Sequence, residues 1–123
     1  MTYEETLHYL YTSIPVFQHS GAAAYKPGLG TSIALDDYLG NPHKAYKTIH
    51  VAGTNGKGSV SHLLAAILRQ SGFKVGLYTS PHLVDFRERI RVNGKKISQD
   101  YVVDFVERHR SFFEPLHPSF FEL

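Results

Sequence analysis

A glycine-rich turn followed by a lysine is the feature that most constrains this 123-residue chain. It lies in the run Val51-Ala52-Gly53-Thr54-Asn55-Gly56-Lys57-Gly58-Ser59, between an apolar stretch and a helical pattern at 60–70. Glycines allow a sharp turn in which successive backbone N–H groups converge on an anion. A helix that begins directly after the turn adds free N–H groups and the positive end of its dipole. The run therefore predicts a loop that binds phosphate groups.

The lysine and the polar residues of this run have different expected roles. Lys57 would reach the β- and γ-phosphates of a nucleoside triphosphate as a point charge. Ser59, the nearest hydroxyl in the first helical turn, either binds Mg²⁺ or caps backbone N–H groups, because both uses draw on the same oxygen. Thr54 and Asn55 either line the nucleotide or only tolerate the backbone angles of the turn.

The spacing of the run departs from the usual phosphate-binding motif. G-x-x-x-x-G-K-[ST] would place a glycine at position 51 and a hydroxyl at position 58, where Val51 and Gly58 stand. A plain glycine-rich turn between a strand and a helix is the alternative interpretation. A dinucleotide-binding fold is excluded, because the chain has no G-x-G-x-x-G pattern and such a fold gives Lys57 no role.

Four segments of the chain, taken in order, resemble the folylpolyglutamate synthase and dihydrofolate synthase family of the Mur ligase superfamily. The resemblance reaches over nearly the whole chain and is loosest between residues 25 and 31. The matching segments are Leu39-Gly40-Asn41-Pro42, Gly53 to Ser59, Val75-Gly76-Leu77-Tyr78-Thr79-Ser80-Pro81-His82-Leu83 with Phe86-Arg87-Glu88-Arg89-Ile90, and Phe120-Phe121-Glu122.

The resemblance implies an α/β fold, namely the N-terminal part of a Mur-ligase-type P-loop ATPase domain with a parallel sheet flanked by helices. Residues 1–123 would be the N-terminal portion of the ATP-binding central domain. The rest of that domain, its carboxylate and histidine metal ligands, its carbamylated lysine and the C-terminal glutamate-ligase domain would be absent. The chain alone is therefore expected to be inactive and poorly stable.

The activity that the resemblance implies is ATP-dependent formation of an amide bond to L-glutamate. ATP would phosphorylate a carboxylate of dihydropteroate or of a folate, and the glutamate amine would attack the acyl phosphate. The alternatives are another Mur-type amide ligase, which should lack the match from 79 to 90, and a P-loop ATPase or nucleotide-binding module without ligase chemistry. The full-length enzyme is expected to be a monomer.

The resemblance also assigns site residues. Lys57 would be catalytic, and Ser80 would contact Mg²⁺ beside Ser59, although a turn serine next to Pro81 is the simpler interpretation of Ser80. Core packing at a helix start is the equally weighted alternative for Phe120 and Phe121. The residues expected to bind ATP are Gly53, Thr54, Asn55, Gly56, Lys57, Gly58 and Ser59, and those expected at the pterin or folate are Lys26, Pro27, Gly28, Ser119, Phe120, Phe121 and Glu122.

Composition narrows the partners further. A formal charge of +2 demands no polyanion, so no nucleic-acid partner is expected. The chain has no cysteine, which excludes disulfides, thiolate metal sites and a cysteine nucleophile. The N-terminus lacks the basic start and apolar core of a signal peptide, and no apolar stretch approaches the roughly 20 residues that span a bilayer. We therefore expect a cytoplasmic protein without a membrane partner.

Local patterns predict the order of the elements. A capping box at Thr2–Glu5 opens a helix that ends near Ile14, and Asn93-Gly94 is typical of a type I′ hairpin turn. The strand, helix, strand order around the glycine loop predicts a βαβ unit with parallel strands. The other expected elements are a short helix capped by Thr31 or Ser32, strands at 48–52 and 75–78, and a helix from Gln99 to about Phe112 capped by Ser98.

Two further groups of polar residues have no clear assignment from the sequence. Arg87, Arg89 and Arg91 alternate, so they would share one face if the segment is extended, either solvated or near the acidic substrate. His82 stands outside any metal-binding spacing, and we expect it to be structural.

Overall fold

The computed structural model describes residues 1–14 and 28–123, and the chain forms two compact units. The first unit contains Met1–Thr48 and Val102–Leu123, and the second contains Ile49–Tyr101. The described helices are α1 (Tyr3–Ser13), α2 (Gly30–Tyr38), α3 (Lys57–Gln70) and α4 (Gln99–Phe113), with 3₁₀ turns at Pro42–Ala45, Phe86–Arg89 and Glu114–Leu116, and the strands are β1 (Gly76–Tyr78), β2 (Ile90–Val92) and β3 (Lys95–Lys96).

The first unit has a hydrophobic core built from helix faces. Residues three, four or seven positions apart lie on one face of a helix, and Val102, Val106 and Phe113 of α4 follow this spacing. Phe113, at the end of α4, is completely buried. The other buried apolar side chains of the described residues are Leu10, Ile14, Leu35, Val102, Val106 and Phe120.

Side-chain caps begin the two long helices of this core, as predicted. The Thr2 hydroxyl accepts the Glu5 N–H at 3.1 Å, and the Glu5 carboxylate accepts the Thr2 N–H at 2.7 Å, which completes the capping box. At the start of α4, the Ser98 hydroxyl accepts the Tyr101 N–H at 3.1 Å. Each cap satisfies backbone donors that have no partner within the helix.

The start of α2 differs from the prediction. The helix begins at Gly30 after Leu29 and has no side-chain cap, so Thr31 and Ser32 lie inside its first turn. The hydroxyl of Ser32 instead donates to the Glu122 carboxylate at 3.2 Å. A tertiary hydrogen bond has replaced the expected local one.

The second unit contains an antiparallel sheet in the order β1-β2-β3. Leu77 of β1 pairs with Arg91 of β2, and β2 and β3 form the predicted hairpin. Asn93 and Gly94 both have positive φ, 49° and 78°, as a type I′ turn requires. The hairpin is therefore confirmed with its turn residues.

The predicted strand at 48–52 is not formed, and neither is its parallel pairing with 75–78. Ile49 is 65% exposed, and no ladder within the described parts of the chain includes residues 48–52. β1 pairs with β2 in the antiparallel sense instead. An apolar run becomes a strand only when a neighbouring strand meets its backbone groups, so its own composition could not settle the assignment. The mixture of helices and sheet still agrees with the expected α/β class.

Candidate functional site: the glycine loop and its surroundings

The glycine loop turns at Gly56, where the chain enters α3. Gly56 has φ of +80°, in the left-handed region that favours glycine. No described atom comes within 4 Å of the position that a Cβ would take at Gly56 or at Gly58. The backbone is thus open on the side where a ligand would approach, and the first turn of α3 follows directly.

Lys57 folds back over this loop. Its Nζ donates a hydrogen bond to the Gly53 carbonyl at 2.7 Å. The helix dipole disfavours a lysine in the first turn of a helix by roughly a few tenths of a kcal/mol. The ammonium group therefore lies above the loop at an exposed position, and phosphate oxygens could replace the carbonyl as its acceptor.

The start of α3 leaves backbone donors available. No side chain of the described residues caps this end, and the first N–H with a partner inside the helix is that of Val60, which donates to Gly56. The first turn contains no acidic residue. Free N–H groups and the positive end of a 14-residue helix favour an anion here.

The remaining loop residues face solvent. Thr54, Asn55 and Ser59 are exposed, as is Ser80, which follows β1 after Thr79. The loop and Ser80 belong to the same unit. The described residues contain no group of three or more histidine, aspartate or glutamate side chains that could hold a metal ion.

A capped turn follows Ser80 and fixes the backbone at 83–89. The Glu88 carboxylate accepts N–H groups of Leu83 and Val84 at 3.0 Å and of Asp85 at 2.6 Å. These backbone donors, that of Asp85 first, hold the pKa of Glu88 at about 2. Sequence reasoning missed this device, although an aspartate followed three residues later by a glutamate is a recognisable capping box.

Asp85 itself is the centre of an ion-pair network. Its carboxylate accepts the Arg87 side chain at 2.8 Å and Lys96 of the hairpin at 3.1 Å. Hydrogen bonding from Arg87, before all other causes, holds the pKa of Asp85 well below its usual range. The network ties the capped turn to β3.

Arg89 is the one buried residue of the second unit among those described, at 3% exposure. Its Nε donates to Nδ1 of His82 at 2.7 Å. Desolvation, and then the nearby Arg89 charge, lower the pKa of His82, which therefore stays neutral and serves as an acceptor. The expected structural role of His82 agrees with this contact. Arg87, Arg89 and Arg91 do not share one extended face, because the first two lie in a 3₁₀ turn.

The aromatic segment near residue 120 belongs to the first unit. Phe120 is buried and stacks on Tyr11 of α1 with ring centroids 5.5 Å apart, whereas Phe121 is 49% exposed. Ser119 and Glu122 form reciprocal bonds, in which Glu122 accepts the Ser119 N–H at 2.8 Å and Ser119 accepts the Glu122 N–H at 3.2 Å. The segment is a fixed turn with one ring in the core and one at the surface.

The remaining expected substrate residues are only partly described. Lys26 and Pro27 lie outside the described residues. Gly28 is exposed, with a positive φ of 82°. None of the described helices combines the length and hydropathy that crossing a bilayer would need.

Comparisons with known proteins agree on one family. A probable bifunctional folylpolyglutamate synthase/dihydropteroate synthase of Haloferax volcanii is 40% identical over 99% of this chain. The crystal structure of folylpolyglutamate synthase from Thermotoga maritima superposes with a TM-score of 0.83 at 45% identity over 98% of this chain. A structure described as an FPGS–AMPPCP–folate complex superposes with a TM-score of 0.80 at 33% identity over 99% of this chain. No family model matches the sequence.

The match extends over only part of the relatives' length. The chain spans 14% of the Haloferax volcanii protein, 27% of the Thermotoga maritima chain and 30% of the chain in the folate complex. The glycine loop that leads into α3 and the mixture of helices and sheet define an α/β protein. Within that class, the chain belongs to the folylpolyglutamate synthase and dihydrofolate synthase family.

Proposed function

We propose that this chain supplies the nucleotide-binding loop of an ATP-dependent ligase that joins L-glutamate to folates, to dihydropteroate, or to both. The observation that carries the proposal is the arrangement at Gly53–Lys57, where an open glycine turn, a folded-back lysine and free helix N–H groups converge. The similar FPGS–AMPPCP–folate complex, in which AMPPCP is an analogue of ATP, supports the nucleotide and the substrate class.

In this proposal, charge stabilisation is the main contribution of the chain. Lys57 exchanges the Gly53 carbonyl for oxygens of the β- and γ-phosphates, and the N–H groups of Gly58 and Ser59 face the same anion. Fixed donors aimed at a transferring phosphoryl group are the main source of catalysis in such reactions. The phosphoryl group passes to a substrate carboxylate, and the glutamate amine then displaces phosphate to form the amide.

The proposal also includes ligands for magnesium and a contact to the pterin. Mg²⁺ prefers oxygen ligands, and the exposed hydroxyls of Ser59 and Ser80 are of that kind. The metal would offset phosphate charge, while carboxylate ligands would come from outside the described residues. Phe121, which is 49% exposed, would be the ring of the 119–122 turn that stacks on a pterin, because Phe120 is buried against Tyr11. We also propose that the whole enzyme acts as a monomer.

Two experiments test the function, one on the chain and one in a complete enzyme. In the chain, Lys57→Ala should remove saturable binding of MgATP measured by calorimetry, while Lys47→Ala, which deletes an equally exposed lysine, should leave it unchanged. In the enzyme, residues 1–123 replace the aligned segment of the Thermotoga maritima protein. ADP release should then require both folate and L-glutamate and should fall at least about a hundredfold with Lys57→Ala, as losses of charge-stabilising groups do.

The outcomes separate the candidate functions. ADP release that does not depend on glutamate would favour a P-loop ATPase without ligase chemistry. Equal binding of MgATP by the wild type and by a folded Lys57→Ala variant would remove Lys57 from the phosphate site.

A further inference from the structure

A second polar site lies in the same unit, between helix α3 and the sheet. It is a cavity of about 180 Å³. Its walls include the small residues Ala65 and Ala66 of α3 and the paired residues Leu77 and Arg91 on neighbouring strands. Two alanines on the helix leave the space that larger side chains would fill.

The polar groups that line this cavity are all basic. They are His62, Arg69 and Arg91, and no acidic side chain lines the cavity with them. Three other arginines of the described residues have carboxylate partners: Arg87 with Asp85, Arg108 with Asp104, and Arg110 with Glu114. Neither Arg69 nor Arg91 takes part in an ion pair within the described part of the chain. Among the described residues, two guanidinium groups therefore share an apolar-walled space without a carboxylate partner.

Arg91 and Arg69 both lie at this cavity. The Nε of Arg91 is buried and has no hydrogen-bond partner in the described residues, and such a donor costs free energy until an acceptor meets it. The Nη1 of Arg69 lies over the hairpin turn, where the place of a side chain at Gly94 would overlap it. Arg69 thus lies close to the hairpin turn, and Arg91 belongs to the paired strand β2.

We propose that this cavity binds a carboxylate carried on a short aliphatic stem, through Arg69 and Arg91. A guanidinium meets a carboxylate with two parallel hydrogen bonds, and both Arg69 and Arg91 line the cavity. The apolar walls of Ala65, Ala66 and Leu77 suit methylene groups, whereas a phosphate would leave oxygens facing these walls without donors.

The site is separate from the glycine loop and does not depend on the proposed ligase function. Twelve residues separate Lys57 from Arg69 along α3, which corresponds to about 18 Å of helix. Loss of the phosphate site by Lys57→Ala should leave this cavity and its basic residues intact.

The test uses glutarate as the probe and the whole 123-residue chain. Side-chain NMR of the arginine Nε–H groups should show a saturable shift of Arg91, whereas 1,5-pentanediol, which has the stem without the carboxylates, should cause none. Arg91→Gln should weaken glutarate binding about tenfold or more, as expected for the loss of a hydrogen bond to a charged group. Arg108→Gln changes the net charge equally at an exposed helix position and should leave the affinity unchanged.

A second variant guards against misfolding of Arg91→Gln. Ala65→Leu keeps both arginines and fills the cavity, so it should abolish the shift by steric exclusion alone. The proposal is overturned if Arg91 does not respond to glutarate, if Arg91→Gln or Ala65→Leu binds it as the wild type does, or if inorganic phosphate produces the same shift at lower concentration.

Discussion

The two units of this chain are stabilised in different ways. All buried apolar side chains of the described residues belong to the first unit, including the completely buried Phe113. In the second unit, the one buried residue among those described is an arginine, Arg89. The first unit therefore has a core of its own, whereas the second depends on backbone bonds and carboxylate caps.

Exposed apolar side chains show the same contrast between the two units. On α3, Val60, Leu63 and Ile67 are 46%, 64% and 61% exposed, and their spacing places them on one face of the helix. Apolar faces of this kind normally pack against further structure. The second unit, which contains the glycine loop, thus has large apolar side chains at its surface. The proposed phosphate site lies in a unit without a well-packed core.

The largest expected effect is on the core of the first unit. Phe113→Ala should lower the free energy of unfolding by about 3–5 kcal/mol, because it leaves a cavity at a fully buried position. The matched control in the second unit is Phe73→Ala, which removes a ring that is 63% exposed and should cost within about 0.5 kcal/mol. Urea denaturation followed by circular dichroism measures both, and equal losses would contradict the contrast between the units.

A smaller and local effect is expected at the Glu88 cap in the second unit. Glu88→Gln replaces a carboxylate that accepts three backbone N–H groups with an amide that has a single acceptor oxygen. The amides of Leu83, Val84 and Asp85 should then exchange faster with solvent, while those of α4 should not change. Hydrogen exchange followed by NMR measures both groups of amides.

The pH dependence of this cap has a defined sign. The folded-state pKa of Glu88, about 2, lies below the ordinary glutamate value, so the cap stabilises the fold above the ordinary value. That contribution falls as the pH drops through the interval down to about 2. In the wild type, the three amides should lose protection over this interval, and in Glu88→Gln they should show no such titration. Identical profiles would contradict the assignment of the cap to Glu88.

Local signals in the sequence predicted much of this structure. The Thr2–Glu5 box, the Asn93-Gly94 turn and the Ser98 cap are formed as expected, because each depends on residues a few positions apart. The α/β class and the family followed from the segments around the glycine loop.

Predictions that depended on distant partners succeeded less often. The strand at 48–52 needed a neighbouring strand, and β1 pairs with β2 instead. Thr31 or Ser32 was expected to cap α2, but the hydroxyl of Ser32 donates a hydrogen bond to Glu122, ninety positions further along the chain. Arg89 is buried against His82, a contact that alternation of charges cannot reveal. The roles of the loop residues in binding nucleotide stay predictions, since they concern a ligand rather than a fold.

The smallest effect is expected in the first unit, where removal of a helix cap tests how far its stability depends on polar caps. Thr2→Ala removes the hydroxyl that accepts the Glu5 N–H and should cost about 1 kcal/mol in the free energy of unfolding. Thr2→Ser keeps the oxygen and should restore most of that loss, while Thr12→Ala, at an exposed position near the other end of α1, serves as the control. The cost is smaller than that of Phe113→Ala because packing of Leu10 and Ile14, rather than the cap, holds α1 in the core. If Thr2→Ala destabilised the chain as strongly as Phe113→Ala in urea denaturation, the first unit would depend on polar caps as the second does.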